Sequence, residues 1–140
     1  AVPELRPLAA RIEVRPRVPL GALEGEVARF DVNLAPLEGG NPFCECKSAI
    51  RVTTASLVAV PSVVAPTGVL AAAVRHGESG WVARHPGEWD EWLEALVADP
   101  RRRVAMGEEA CRDVLARFGP RAAADALASA YGAILAAGRR

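Results

Sequence analysis

The sequence predicts an α/β fold in which helices flank a parallel sheet of about four strands and a helical segment follows on the C-terminal side. Two kinds of segment alternate along the chain. Short runs that are apolar, or that alternate polar and apolar residues, are typical of strands, and stretches whose apolar residues recur every three or four positions are typical of helices. Residues 62–65 are almost continuously apolar, as in a parallel strand whose two faces are covered. The 140 residues fit one domain, with the α/β core at about 11–85 and the helical segment at about 87–138.

The first two strands are predicted from side-chain alternation and from the prolines that bound them. Residues 11–15 alternate polar and apolar side chains before Pro16, which is the pattern of a short strand. Residues 1–10 are interpreted as a linker or as the remnant of a helix that begins in mid-element. Residues 20–30 place apolar side chains at helical spacing and predict a helix, after which residues 31–36 predict the second strand.

The middle of the chain predicts one long helix and two more strands. Asn41 and Pro42 suit the cap and the first turn of a helix over residues 43–60. The third strand is the apolar run described above, and it ends in a Pro-Thr-Gly turn. A short helix at residues 69–75 then leads, through a glycine-bounded turn, to a last strand of three residues that begins at Trp81.

Three helices are predicted after the last strand. The first covers residues 88–99, where large apolar residues repeat at intervals of three and four before an Asp-Pro pair stops the pattern. The other two cover residues 101–118 and residues 121–137, and a Gly-Pro pair separates them. Trp89 and Trp92 lie on the apolar stripe of the first helix. We expect both in core or interdomain packing rather than in stacking on a ligand.

The charge balance argues against some classes of partner. Lysine plus arginine and aspartate plus glutamate number 17 each, and the pI is near 7.0. Such a chain has no long-range positive field, so we expect it to bind neither nucleic acid nor an anionic membrane surface. A small anion bound locally is compatible with this balance. Sixteen of the basic residues are arginine, and Lys47 is the only lysine of the sequence.

The cysteine content and the hydropathy predict a cytoplasmic protein without a transmembrane segment. Cys44, Cys46 and Cys111 are an odd number without the spacing of a secreted disulfide framework, which favours reduced thiols. No apolar run approaches the roughly 20 residues needed to cross a bilayer. A Cys-x-Cys pair without a second matched pair is a weak zinc signal, even with His76 and His85 elsewhere. We therefore expect neither a metal nor a cofactor.

The candidate ligand site lies in the loops at the carboxyl ends of the strands, where parallel sheets bind ligands. Gly39 and Gly40 allow the backbone to approach a ligand closely, and they precede a helix whose first N–H groups favour an anion. On that helix Lys47, Arg51 and Thr54 are spaced i, i+4 and i+7, so we expect all three on one face. The predicted ligand group is a phosphate.

The same residues also admit a purely structural interpretation. In it, Lys47 and Arg51 belong to a solvated helix face, and the two glycines form only a flexible turn. Glu38 is a candidate contact of the ligand, whereas Glu45 is expected to be solvated. His76 is interpreted as a surface or capping residue rather than a general base. No residue is therefore assigned a catalytic role.

Three stretches of the sequence resemble the group 1 glycosyltransferases of the GT-B fold, close to family 4. They are residues 31–48, 57–68 and 76–81, which share the skeleton NPF, KS, VP.V.AP.G and HG..GW in the family's order. The resemblance covers most of the chain. It is strongest to the bacterial branch involved in O-antigen and capsule sugars.

The resemblance implies a C-terminal donor-binding domain with a Rossmann-like sheet, here a partial GT-B domain that is incomplete on its N-terminal side. Such a domain binds a nucleotide-diphosphate sugar, generally without a metal, for transfer to a glycan or lipid-linked acceptor. The N-terminal acceptor domain is missing or is supplied by a partner chain, and the fragment alone is expected to be inactive. The residues expected to bind the donor are Glu38, Gly39, Gly40, Asn41, Lys47, Arg51, Thr54, Thr67 and Gly68.

Two positions depart from the family pattern. Thr54 stands where the family usually has a glutamate that grips the donor, and Ala72 stands where an acidic residue often follows the Thr-Gly turn. A hydroxyl cannot offer the two carboxylate oxygens that suit a ribose diol. The alternative prediction is therefore a catalytically inactive module that binds a nucleotide or another phosphate ligand, or that serves in interaction. A structural α/β fragment stabilised by partners is a third interpretation.

Overall fold

A computed structural model of the chain describes residues 3–138 and has a mixed α/β fold with a three-stranded parallel sheet. Its register aligns Leu34 with Val63 and Val63 with Trp81. The α/β class and the parallel direction are confirmed, and each strand lies within two residues of its predicted place. In spatial order the strands are β1 (Asn33–Ala35), β2 (Ser62–Val64) and β3 (Gly80–Val82).

The strand predicted at residues 11–15 is wrong, so the described sheet has three strands rather than about four. Residues Pro3–Arg11 form a 3₁₀ helix, and the segment from there to the next helix has no regular structure. Val14 is 88% exposed, and Nη2 of Arg15 pairs with Oε2 of Glu26 at 2.9 Å. Alternation produces a strand only where a neighbour pairs with the backbone and one face is buried. Among the described residues this segment has neither.

Seven α-helices accompany the strands in the described part of the chain. The last three agree with the predicted helices to within two residues, and each has proline in its first turn. The helix predicted over residues 20–30 is shorter, because a 3₁₀ turn at Leu20–Ala22 occupies its start. None of the described helices is both long and apolar enough to cross a bilayer. Their bounds are α1 (Leu23–Val27), α2 (Pro42–Glu45), α3 (Ile50–Leu57), α4 (Gly68–Ala73), α5 (Pro86–Ala98), α6 (Pro100–Phe118) and α7 (Pro120–Ala137).

The long helix predicted over residues 43–60 is two helices, α2 and α3, separated by residues 46–49. Lys47 and Ser48 in this break are not helical. Serine competes for backbone hydrogen bonds and so disfavours a continuous helix. The prediction that i, i+4 and i+7 spacing puts three polar side chains on one helix face is therefore wrong for Lys47.

Apolar side chains are buried on both faces of the sheet, because successive strand residues point to opposite faces. Trp92 stacks on Trp81 with 4.9 Å between ring centroids, and Trp89 packs against the same cluster, which confirms core packing of the two helix tryptophans. The cluster on that face contains Val63, Trp81, Ala83, Leu96 and Met106. The cluster on the opposite face contains Ala35, Val52, Val64, Leu70, Ala73, Val74 and Val82.

The C-terminal end of α4 is fixed to α6 by an arginine. Arg117 donates from Nη1 and Nη2 to the carbonyl oxygens of Ala72 and Ala73, both at 2.8 Å. The same guanidinium pairs with the buried carboxylate of Asp113, which also lies 3.0 Å from Nε of Arg75. Since α4 begins at the carboxyl edge of the sheet, this network holds in place one of the elements that form that edge.

Candidate functional site

Two loops leave the sheet at the same edge. The loop after β1 comprises residues 36–41, and the loop after β2 comprises residues 65–67. The two strands are parallel neighbours, and the N–H of Ala65 continues their ladder by donating to the carbonyl of Ala35 at 3.0 Å. The loops therefore start side by side at the carboxyl ends of their strands, which is the usual position for a ligand in a parallel sheet.

The carboxylate of Glu45 joins the two loops. Its Oε1 accepts a hydrogen bond from the N–H of Gly40 at 3.3 Å, and its Oε2 accepts one from the N–H of Gly68 at 3.1 Å. The side chain is half-buried, so the expectation that it is solvated is wrong. The one sequence signal for this contact is proximity, because Glu45 follows Gly40 by five residues, close enough to fold back onto the loop.

The loop after β1 has hydrogen bonds of its own. Nδ2 of Asn41 donates to Oε2 of Glu38 at 2.8 Å, and Oδ1 of Asn41 accepts from the N–H of Phe43 at 3.0 Å. The second bond caps α2, as the sequence predicts. Gly40 has φ +75°, a left-handed conformation that favours glycine, whereas Gly39 has open space where a Cβ would stand and no such φ. Of the two glycines, only Gly40 is required by its backbone conformation.

Two cationic side chains, Lys47 and Arg51, line one pocket of about 200 Å³. The break between α2 and α3 brings them together, rather than the single helix that the sequence predicted. Nζ of Lys47 lies 3.9 Å from the centroid of the Phe43 ring, which is a cation–π contact. Neither cation forms an ion pair with a residue in the described range. The other residues that line the pocket are Leu37, Ser48, Ile50 and Leu70.

The remaining predicted residues differ in their surroundings. Thr54 follows Arg51 by one turn of α3 and is half-buried, but it does not line this pocket. Thr67 is 1% exposed, and its Oγ1 has no hydrogen-bond partner among the described residues. Gly68 has room for a Cβ, which would lie 3.9 Å from Oε2 of Glu45. Gly68 therefore contributes its N–H to the site, and a residue with a side chain would also fit at this position.

His76 has a structural role, as the sequence interpretation proposed. Its Nδ1 accepts a hydrogen bond from the N–H of Val82 at 3.1 Å, and its ring meets Trp92 edge-on with 5.7 Å between centroids. The three cysteines are free thiols. Within residues 5–138, whose side chains the structure describes, no three His, Cys, Asp or Glu side chains are grouped as ligands of a metal ion.

The arrangement is suited to holding an anion. Two cationic side chains line the pocket, and two backbone N–H groups at the meeting point of the loops already hold a carboxylate. Charged side chains and backbone N–H groups of this kind bind phosphate oxygens in proteins. No protein-family model matches the chain, and neither a curated protein nor a solved structure is significantly similar to it. A function is therefore inferred from the sequence pattern and from this geometry.

Proposed function

We propose that the chain binds a nucleotide-diphosphate sugar at this edge and is the donor-binding domain of a glycosyltransferase. One observation carries the proposal: Lys47 and Arg51 share a pocket that Leu37 of the first loop and Leu70 of α4 also line. In the proposal, the sheet is the partial, Rossmann-like core of a GT-B donor domain. The sugar is transferred to a glycan or lipid-linked acceptor, in the cytoplasm, during synthesis of a bacterial surface polysaccharide.

In the proposal, the pocket holds the diphosphate of the donor, and its size supports this assignment. A drug-sized ligand occupies roughly 300–1,000 Å³, whereas this pocket measures about 200 Å³. It has room for a diphosphate but not for a whole nucleotide sugar. The base, the ribose and the sugar therefore extend outside the pocket, along the carboxyl ends of the strands. They pass Gly39, Gly40 and Asn41 on one side and Thr67 and Gly68 on the other.

The two cations supply the chemistry that this domain contributes to transfer. Lys47 and Arg51 stabilise the negative charge that develops on the diphosphate leaving group as its bond to the sugar breaks. Lysine acts as a compact point charge, while arginine presents paired donors that match two phosphate oxygens. The acceptor, and the group that takes its proton, come from an N-terminal acceptor domain or a partner chain.

A second candidate function is a catalytically inactive module that binds a nucleotide or another phosphate ligand. Thr54 and Ala72 favour it, because neither side chain offers a carboxylate to the hydroxyls of a ribose or a sugar. The hydrogen bonds of Glu45 also favour it, since they occupy two N–H groups at the edge where the donor is proposed to bind. Both candidates share the anion pocket, and they differ in whether a sugar is transferred once the ligand is bound.

Isothermal titration calorimetry with UDP, GDP and their sugars tests the proposal. We expect the wild-type chain to bind at least one of these ligands. Lys47→Ala and Arg51→Ala should each weaken that binding at least about tenfold, which corresponds to the loss of one charged hydrogen bond to phosphate.

The matched control is Arg121→Ala, which removes the same charge from α7. The side chain of Arg121 is exposed and forms no hydrogen bond or ion pair within the described part of the chain, so its loss should leave the affinity unchanged. Equal affinity in all variants would contradict the proposed pocket. If the wild type binds none of these nucleotides, the donor-binding proposal fails; if it does not bind inorganic pyrophosphate either, the second candidate fails too, and the structural interpretation of the chain is left.

A further inference from the structure

Glu45 uses its two carboxylate oxygens separately, one on each loop. Oε1 accepts from Gly40 at the end of the first loop, and Oε2 accepts from Gly68 directly after the second. Among the side chains of residues 5–138, it is the one whose hydrogen bonds join these loops. The loops are therefore held together by an anion that belongs to the chain itself.

The surroundings of Glu45 show that backbone N–H groups, not a cation, satisfy this carboxylate. A half-buried carboxylate requires hydrogen bonds or a counter-charge. Lys47, two residues further on, instead places its Nζ over the Phe43 ring and forms no ion pair with a described carboxylate. In addition, the buried hydroxyl of Thr67, the residue before Gly68, has no hydrogen-bond partner in the described chain. Where the two loops meet, one donor is unused and two are held by Glu45.

Carboxylate and phosphate oxygens accept hydrogen bonds from the same donors, so they compete for them. We infer that Glu45 is an autoinhibitory contact: its carboxylate latches the two loops together, and an anionic ligand must displace it to bind. The inference rests on the proposed function, because it concerns the ligand of the same edge. It adds that the free chain is closed.

The cost of displacing Glu45 appears as weaker apparent binding. The apparent dissociation constant equals the intrinsic constant divided by the fraction of molecules that are open. If about nine molecules in ten are closed, a chain without the latch binds about tenfold more tightly.

Two substitutions of Glu45 separate the latch from simple charge repulsion. Glu45→Asp keeps the negative charge but shortens the side chain by one methylene, so that one carboxylate no longer reaches both N–H groups. Glu45→Gln keeps the length but leaves a single acceptor oxygen for two donors. The control for net charge is Glu94→Gln in α5, since Glu94 is exposed and its side chain has no hydrogen bond or ion pair within the described residues.

The measurement is calorimetric titration of the whole chain with inorganic pyrophosphate and with UDP. We expect Glu45→Asp and Glu45→Gln to bind about five- to tenfold more tightly than the wild type, and Glu94→Gln to match the wild type. If the wild type binds but Glu45→Asp binds equally or more weakly, the autoinhibitory role is refuted while the proposed function stands. If no form of the chain binds either ligand, both fail, because a contact that excludes no ligand inhibits nothing.

A second readout uses the wild type and so does not depend on how well the variants fold. When pyrophosphate is added, the backbone amide signals of Gly40 and Gly68 and the side-chain carboxyl ¹³C signal of Glu45 should change together in NMR spectra. Signals of Lys47 and Arg51 that respond while those three stay constant would mean that the ligand binds without displacing the carboxylate. That result would refute the inference.

Discussion

Gly107 of α6 lies directly against the carbonyl group of Ala59, so that a Cβ at position 107 would overlap the Ala59 oxygen. The same Cβ position lies 3.3 Å from Cδ of Pro61. Ala59 has φ 57° and belongs to the turn that links α3 to β2. The backbone of α6 therefore meets the backbone of this turn, and no flexible side chain stands between them to give way.

We expect Gly107→Ala to destabilise the fold by about 3 kcal/mol, at the upper end of the usual cost of overpacking, because the new methyl group meets backbone. α6 would have to move away from the turn and take its buried Met106 and Ala110 with it. Urea denaturation followed by circular dichroism measures the free energy of unfolding. Gly132→Ala in α7 is the matched control, since a Cβ there meets open space and should stabilise the helix by about 0.5–1 kcal/mol. Wild-type stability in Gly107→Ala would rule out this close approach.

Ala59→Gly should stabilise the protein by about 0.5–1 kcal/mol. A left-handed alanine costs roughly 1–2 kcal/mol, and the greater freedom of glycine in the unfolded chain offsets part of the gain. Ala59 is exposed, so little packing is lost. The same substitution at the exposed Ala105, within α6, should instead destabilise by about 1 kcal/mol. Thermal unfolding of the two variants side by side checks the opposite signs, and a loss of stability in both would contradict the prediction.

The elements that the sequence predicts well are those fixed by local patterns. α6 is an example, because Oδ1 of Asp99 accepts from the N–H groups of Arg101 and Arg102, both at 3.0 Å, and Pro100 occupies the first helical position. Such a start is visible in the sequence itself. β2 is another example, since all three of its residues are buried and the residues that follow Ser62 in the run are apolar.

The errors occur where the outcome depends on distant partners. Alternation at residues 11–15 would give a strand only beside an available edge, and no local signal reports such an edge. The break after α2 is similar, because Glu45 at the end of that helix is bonded to Gly68, 23 residues further along the chain. The sequence therefore predicted the loops and the cations of the candidate site but missed the carboxylate that joins the loops.

Arg117→Ala should destabilise the fold by about 2 kcal/mol. The substitution removes charged hydrogen bonds to Ala72 and Ala73 at the end of α4, and it leaves the buried Asp113 with Arg75 as its remaining cation. Arg112→Ala is the control, since it removes only an exposed ion pair and should cost less than about 1 kcal/mol. Urea denaturation measures both variants. Equal stability losses would mean that the contacts with α4 contribute nothing.

Thr54→Glu distinguishes a transferase pocket that has lost its carboxylate from a plain phosphate site. Thr54 follows Arg51 by one turn of α3. In the group 1 glycosyltransferases, which the sequence resembles, this position usually has a glutamate that binds the donor. Two carboxylate oxygens can accept from the two hydroxyls of a ribose, so UDP or GDP should bind about tenfold more tightly to the variant. Pyrophosphate has no ribose, so its affinity for the variant should be no higher than for the wild type. Calorimetry measures both affinities on the same protein.

Thr53→Glu is the control for this substitution, because it adds the same charge to the neighbouring position on a different face of α3. Thr53 donates from Oγ1 to the carbonyl of Ile50 at 3.2 Å and lines a groove with Leu57 and Val114, away from the pocket of Lys47. We expect this variant to bind nucleotides no better than the wild type. If Thr54→Glu weakens nucleotide and pyrophosphate equally, the carboxylate acts only by repelling phosphate. The second candidate, an inactive phosphate-binding module, is then the better description of the chain.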